Sequence, residues 1–178
     1  VKRFLPLALL LSLLACQSVS SHLESLYADS VRERLAGDTF STLGDAYQED
    51  QEERLEKVRG YVKAEQLVTA QDYLYAGVIL SSSSHPDDLT AAWAAGLKAA
   101  ELGDDRGFRV FAEAVDRFEM QRGGEQKYGT QYYYLEVIQK WRLYPYNLDT
   151  TDAERAAMGV EPLAELLARE EQLNEDVR

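Results

Sequence analysis

The sequence predicts a mainly α fold: antiparallel helical hairpins, then a small C-terminal β-hairpin and terminal helices. Three observations carry that prediction. Apolar residues recur at spacings of three and four through most of residues 22–121, the period of a helix with one buried face. Glycines, a proline and a serine run cut that stretch into helix-sized pieces with short connections. Residues 128–146 then change texture, with Tyr, Val, Ile, Trp and Thr dominating, all strand-favouring types. The composition suits a folded domain: 178 residues, 46% hydrophobic and 28% charged. It excludes a disordered chain, a collagen-like fibre and a disulfide-stapled miniprotein. A formal charge of −12 also excludes non-specific nucleic-acid binding, which needs a basic surface.

Element by element, Leu23, Tyr27, Val31 and Leu35 recur every four residues, which predicts a helix to Ala36 stopped by Gly37. Gly44 and Asp45 open a second helix, charge-rich over 46–64, with Leu55, Val58 and Val62 as its apolar stripe and Glu53/Lys57 as an i,i+4 pair. A third covers 69–80 and ends in the serines at 81–84. Pro86 and Asp87 open a fourth, striped by Leu89, Trp93, Leu97 and Ala100 and ending at Gly103. A fifth starts near Asp105, with Phe108, Phe111, Val115 and Phe118 on one side and Gly123-Gly124 as its stop. Residues 91–103 and 108–118 resemble one unit of a tetratricopeptide or Sel1-type array, with no second copy at a fixed period. Two short strands are expected at 129–136 and 140–145, a continuous helix through 130–142 being the alternative. Thr151-Asp152-Ala153-Glu154 is a capping box that starts another helix, broken at Gly159. Pro162 opens a last helix carrying Leu163, Leu166, Leu167 and Leu173, and the acidic tail after Glu170 is expected to fray.

The N-terminus reads as a leader. Lys2 and Arg3 form a positive start, and residues 4–14 are apolar apart from Pro6 and Ser12. That run has the length of a signal-peptide core and falls short of the ~20 residues a membrane-spanning helix needs. It ends in Leu13-Leu14-Ala15-Cys16, which resembles the lipobox of bacterial lipoproteins. The resemblance implies cleavage before Cys16, acylation of that cysteine, and membrane attachment through the lipid. Gln17 in place of Asp implies sorting to the outer membrane, facing the periplasm. Residues 16–21 would be a short tether and 22–178 a single domain. Loss of Lys2 and Arg3 would leave the mature chain at −14, too acidic to lie flat on anionic lipid.

The stretch 50–167 also resembles an uncharacterised bacterial domain family. The matching parts are Asp116-Arg117, Gln126-Lys127-Tyr128-Gly129-Thr130-Gln131, Asp149, Arg155 and Met158-Gly159-Val160-Glu161-Pro162-Leu163, in that order. The chain departs from the family upstream, where His85 stands at the end of its loop instead of within it. The resemblance implies the architecture and a site, and no activity.

The candidate site residues are Asp116, Arg117, Gln126, Tyr128, Gly129, Thr130, Gln131, Asp149 and Arg155. Uncharged hydrogen-bonding groups around Gly129 suit either a polar pocket or a structural turn. Asp116, near the apolar side of its helix, needs a partner, and Arg155 or the amides of the 128–131 loop are the candidates. Arg117 has Glu113 four residues earlier as a surface pair. Tyr132-Tyr133-Tyr134 with Trp141, Tyr144 and Tyr146 is the main aromatic cluster, its alternate members sent to opposite faces of a strand. His22 and His85 are the only histidines and share no metal spacing, so no metal and no cofactor is expected. No Gly-x-Ser-x-Gly elbow and no phosphate-binding loop appears.

The leading expectation is a cell-envelope lipoprotein that acts as a binding or scaffolding module for a protein, peptide or glycan. One alternative is a small periplasmic hydrolase or transferase using Asp116 with the 128–131 loop or His85. Another is a structural or immunity-type lipoprotein. The anchor has a direct test. Cys16→Ser should abolish incorporation of a labelled fatty acid, and equal labelling of the variant would remove the lipid anchor.

Overall fold

The computed structural model describes residues 7–36 and 44–175, with side chains over 18–32 and 49–175. Lys2 and Arg3, the expected helix stop at Gly37 and the last three residues of the acidic tail lie outside the described residues. The described elements run in the order α1 (Leu7–Ala36), α2 (Gly44–Lys63), α3 (Ala70–Leu80), α4 (Pro86–Glu101), α5 (Arg106–Gln121), β1 (Tyr132–Leu135), β2 (Lys140–Leu143), α6 (Asp152–Ala157) and α7 (Leu163–Glu175). The fold is mainly helical with one antiparallel hairpin, as the periodicity predicts. No helix among the described residues is long and apolar enough to cross a membrane.

Local chemistry fixes most boundaries. Thr69 caps α3 in a reciprocal box with Asp72, and Thr151 does the same for α6 with Glu154. Pro86 sits in the first turn of α4, where its missing N–H leaves nothing unpaired. Gly103, Gly123 and Gly159 end their helices at φ of +98°, +75° and +63°.

Two apolar clusters share α5. The larger gathers Leu23 from α1, Leu55 and Val58 from α2, Leu74 and Ile79 from α3, Ala92 and Ala99 from α4, and Val110 and Ala114 from α5. The smaller joins Ala112 of α5 to Tyr128, Leu143 of β2, Val160 and Leu166 of α7, with Phe111 and Val115 packed against it. So α5 carries the bundle on one side and the hairpin with α7 on the other.

Four expectations give way. Residues 16–21, expected as a tether, run inside α1, and Val19 is 6% exposed in the core. The buried line of α1 is Val19, Leu23, Leu26 and Ser30, while Tyr27 lies half-buried at the margin, stacked on Tyr75 at 4.2 Å. In α4 the buried face is Leu89, Ala92, Ala95, Gly96 and Ala99, and the expected stripe members Trp93 and Leu97 are 38% and 36% exposed. In α5 the buried residues are Gly107, Val110, Ala112, Ala114 and Asp116, with the phenylalanines only half-buried. The reason is helix spacing. A Cβ on Gly96 would stand 2.6 Å from the Gly107 carbonyl oxygen, and one on Gly77 would stand 2.8 Å from a Val110 methyl. Small residues let these backbones touch, so the large side chains are displaced to the flanks. The fourth is the tail: α7 continues to Glu175 because Asn174 bonds to β2, and Leu167 of its expected stripe is 40% exposed.

Two glycine substitutions should move stability in opposite directions. Gly107→Ala puts a methyl onto the Gly96 carbonyl and should cost about 1–3 kcal/mol or more. Gly60→Ala, inside α2 with nothing within 4 Å of its Cβ position, should gain about 0.5–1 kcal/mol. Thermal denaturation of both variants reads this directly.

Candidate functional site

Asp116 projects from the third turn of α5 and is fully buried. The chain leaves α5 through Gly123, and residues 126–131 wrap back over this carboxylate. Oδ1 accepts the N–H groups of Lys127 and Tyr128 at 2.7 and 2.8 Å. Oδ2 accepts those of Gly129 and Thr130 at 3.0 and 2.9 Å, and the Thr130 hydroxyl at 2.8 Å. Four consecutive amides converge on one carboxylate only because Gly129 takes φ +90°. Burial pushes the Asp116 carboxyl above its usual range, and the loop donors pull back against that rise.

Gln126 and Arg155 finish the loop. The Gln126 amide is fully buried, donates to the carbonyls of Gln131 and Tyr144 at 3.1 and 2.8 Å, and accepts the Gln131 N–H at 2.9 Å. Arg155, 1% exposed, donates from Nε to the Tyr128 carbonyl at 3.0 Å and from Nη1 to the Thr150 carbonyl at 2.7 Å and Asp152 at 3.1 Å. Of the two partners expected for Asp116, the loop amides hold it, and Arg155 meets the same loop through a carbonyl.

The candidate residues therefore divide into three groups. Asp116, Gln126, Tyr128, Gly129, Thr130 and Arg155 converge inside the protein, and the Asp116 oxygens are filled by donors of the loop. A carboxylate so placed has no room for a substrate proton. Asp149 is exposed and apart, its N–H donating to Asn147 Oδ1 at 2.8 Å. Arg117 and Gln131 reach the surface, joined through Arg117 Nε and Gln131 Oε1 at 2.9 Å. Glu113, the expected partner of Arg117, is bonded to Arg109 at 3.0 Å. His85 ends the serine loop as the N-cap of α4 without a side-chain cap bond.

Arg117 and Gln131 line a groove of about 430 Å³ with Ser82, Ser83, Ser84, Met120, Gln121, Tyr132 and Tyr144. The serine wall is clamped from behind. Ser83 Oγ donates to Asp88 at 2.5 Å, Arg59 of α2 holds both oxygens of Asp88 at 2.8 and 2.6 Å, and Gln51 donates to the Ser82 carbonyl at 3.1 Å. Burial opposes ionisation of Asp88, but Arg59 and Ser83 outweigh it and hold the carboxyl below its usual range. The opposite wall is the hairpin, with Tyr132 opposite Leu143, Tyr133 opposite Arg142 and Tyr134 opposite Trp141. Tyr133 meets Tyr144 edge-on at 5.6 Å, and Tyr134 lies tilted against Trp141 at 5.5 Å with 38% of its surface exposed. The strands are shorter than the expected 129–136 and 140–145: a turn occupies 136–139, and the amides of Gly129 and Thr130 are bonded to Asp116.

Residue-type reasoning missed the Arg59–Asp88 clamp and the α7 side chains Glu170 and Asn174, whose contacts are all distant in sequence. The serine run was visible, but only packing makes it a groove wall. Among the described residues no group of three His, Cys, Asp or Glu side chains could hold a metal.

Asp116→Asn should destabilise the domain strongly, because an amide presents N–H groups to N–H donors. Each unmatched buried group costs about 1–3 kcal/mol, so the melting temperature should fall by about 5–10 °C; a shift under 2 °C would mean the loop does not depend on the charge. Asp88 supplies a pH signature. Its folded pKa lies below the unfolded value of about 3.9, so its contribution is complete above that value and lost as pH falls through the folded one. Asp88→Asn should lower the melting temperature at pH 7, and its deficit relative to the parent should shrink below about pH 4. No protein-family model, curated protein or solved structure matches this chain.

Proposed function

We propose that the chain is a cell-envelope lipoprotein, anchored through Cys16 to the outer membrane, that acts as a binding or scaffolding module for a protein, peptide or glycan. The observation that carries this reading is the groove between the serine loop, α5 and the hairpin. It offers hydroxyl, amide, guanidinium and phenol groups on a rigid frame, the mix that hydrogen-bonds a neutral polymer or a peptide. Its walls are held from behind by Asp88 and Asp116, so the surface is pre-organised. The hydrolase alternative loses support because Asp116 is closed off by its own loop.

Gln131→Ala separates binding from scaffolding of the fold. The Gln131 side chain lies half-buried and bridges Arg117 to the Thr130 hydroxyl, while its main chain makes the loop's structural bonds. The variant should lose about 1 kcal/mol or less, a melting shift of a few degrees. Capture of envelope components by photo-crosslinkers placed around the groove should fall several-fold. Unchanged capture with unchanged stability would remove the groove from the function.

A further inference from the structure

The start of the domain is tied directly into its core. Cys16 lies in α1 one helical turn before Val19, which is 6% exposed and shares an apolar cluster with Leu23 and Leu67. As helix, that stretch covers about 5 Å, and even stretched out it would cover only about 10 Å. A lipid on Cys16 would therefore have no free tether, and the end of the bundle that holds Val19 would meet the bilayer.

Packing identifies that end. A hydrogen bond between His22 Nδ1 and the Tyr61 hydroxyl puts the last turn of α2 beside the first part of the domain's α1. Tyr27 stacks on Tyr75, and Val31 lines the same groove as Val78, so α1 and α3 run parallel. Two turns back from that stack, Val19 comes level with Leu67. Gly77 meets Ala92 and Ala95 across the antiparallel pair of α3 and α4. The path back from Gly77 to Thr69 matches the path on from Ala95 to Leu102, so Leu102 comes level with Thr69. Residues 64–69 and 102–105 thus form this end of the bundle, and it leaves Val68 55% and Leu102 46% exposed.

Charge separates the two ends. Across 63–69 and 98–106, Lys98 pairs with Glu101 at 2.9 Å, Arg106 pairs with Asp104 at 2.7 Å, Lys63 offsets Glu65, and Asp105 remains. The first half of α2 points the other way and exposes Glu49, Asp50, Glu52, Glu53 and Glu56, with Glu49 about 18 Å along the helix from Tyr61. In a chain of formal charge −12, anionic headgroups repel that acidic end and tolerate the near-neutral one. An exposed apolar pair on a near-neutral face beside an acylated residue fits a lipid surface.

We propose that this end of the bundle rests on the bilayer, with Val68 and Leu102 in the headgroup layer beside the acyl chains on Cys16. The proposal rests on the lipoprotein reading and adds the orientation of the domain. α3 leads away from the membrane to the serine loop, roughly 16 Å along its axis, and Gln121 at the end of α5 donates to the Ser84 carbonyl there at 2.6 Å. The groove is then held at a fixed height and faces away from the bilayer.

The test uses the full acylated chain in vesicles of phosphatidylethanolamine and phosphatidylglycerol that carry a nitroxide in the headgroup layer. One fluorophore is attached through a new thiol, introduced by Gln66→Cys, Ser84→Cys or Val137→Cys in turn, all exposed positions. The label at 66 should be quenched several-fold more strongly than those at 84 and 137. Val68→Glu combined with Leu102→Glu should bring quenching at 66 down to the level at 84, with the melting temperature little changed because both side chains are exposed. Equal quenching at the three positions would overturn the proposal and give Cys16 a free tether. Strongest quenching at 137 would overturn it in favour of the hairpin tip, and undiminished quenching at 66 in the double variant would overturn it by removing the apolar pair. A mass without acyl chains in the same sample would overturn the anchor and the docking together, whereas uniform quenching of an acylated chain leaves the anchor standing.

Discussion

The Asp116 carboxylate organises the C-terminal half of this protein. It sits inside the molecule, and a bare buried charge is among the costliest things a fold can contain. Four successive amides and one hydroxyl of the 127–130 stretch offset part of that cost. In doing so they fix the path of the chain between α5 and β1. Everything downstream takes its position from that path. Gln126 ties the loop to the strand ends at Gln131 and Tyr144, and Arg155 reaches back from α6 to the Tyr128 carbonyl. The hairpin and α7 then close the smaller apolar cluster over Tyr128, Leu143 and Leu166.

A second constraint acts in the bundle. Where α4 and α5 come closest, their facing residues are Ala and Gly, close enough that a methyl at Gly96 or Gly107 would meet backbone. Close backbone approach leaves little room between helices, so the aromatic bulk of α4 and α5 moves to the flanks. Trp93 and Phe111 meet edge-on there, at 5.6 Å. Because α5 serves both clusters, the same helix sets the bundle spacing and delivers Asp116 to its loop. The groove exists where these two halves adjoin, with serines from the bundle on one wall and tyrosines from the hairpin on the other.

The polar residues that stand out in the sequence are thus mostly support. Tyr128-Gly129-Thr130 is conspicuous because a carboxylate nest needs a glycine at positive φ and a hydroxyl within reach of it. The groove surface is formed instead by Arg117, Gln131, Tyr132, Tyr144 and the serine run. The hairpin adds an asymmetry of its own, one edge sealed by Glu170 and Asn174 and the other left with its main-chain groups outward.

Local chemistry in the sequence determined the helix boundaries, because capping boxes at Thr69 and Thr151, the proline at Pro86 and the stops at Gly103, Gly123 and Gly159 act within a few residues. It also marked the change of texture after Gly124, which left a hairpin or a continuous helix open, and that Asp116 would need loop amides or an arginine. Only the tertiary structure decided which helix faces are buried. An alanine stripe and a leucine stripe are both legible as apolar, and the choice between them depends on how closely the partner helix approaches. Likewise the end of α7 and the seal on β2 depend on Asn174 meeting Trp141 across 33 residues of chain. The groove is set by the same kind of contact, in which Arg59, Asp88 and Ser83 come together from separate elements. Periodicity carries no information about such pairs, because each forms only after the helices that bear them have packed.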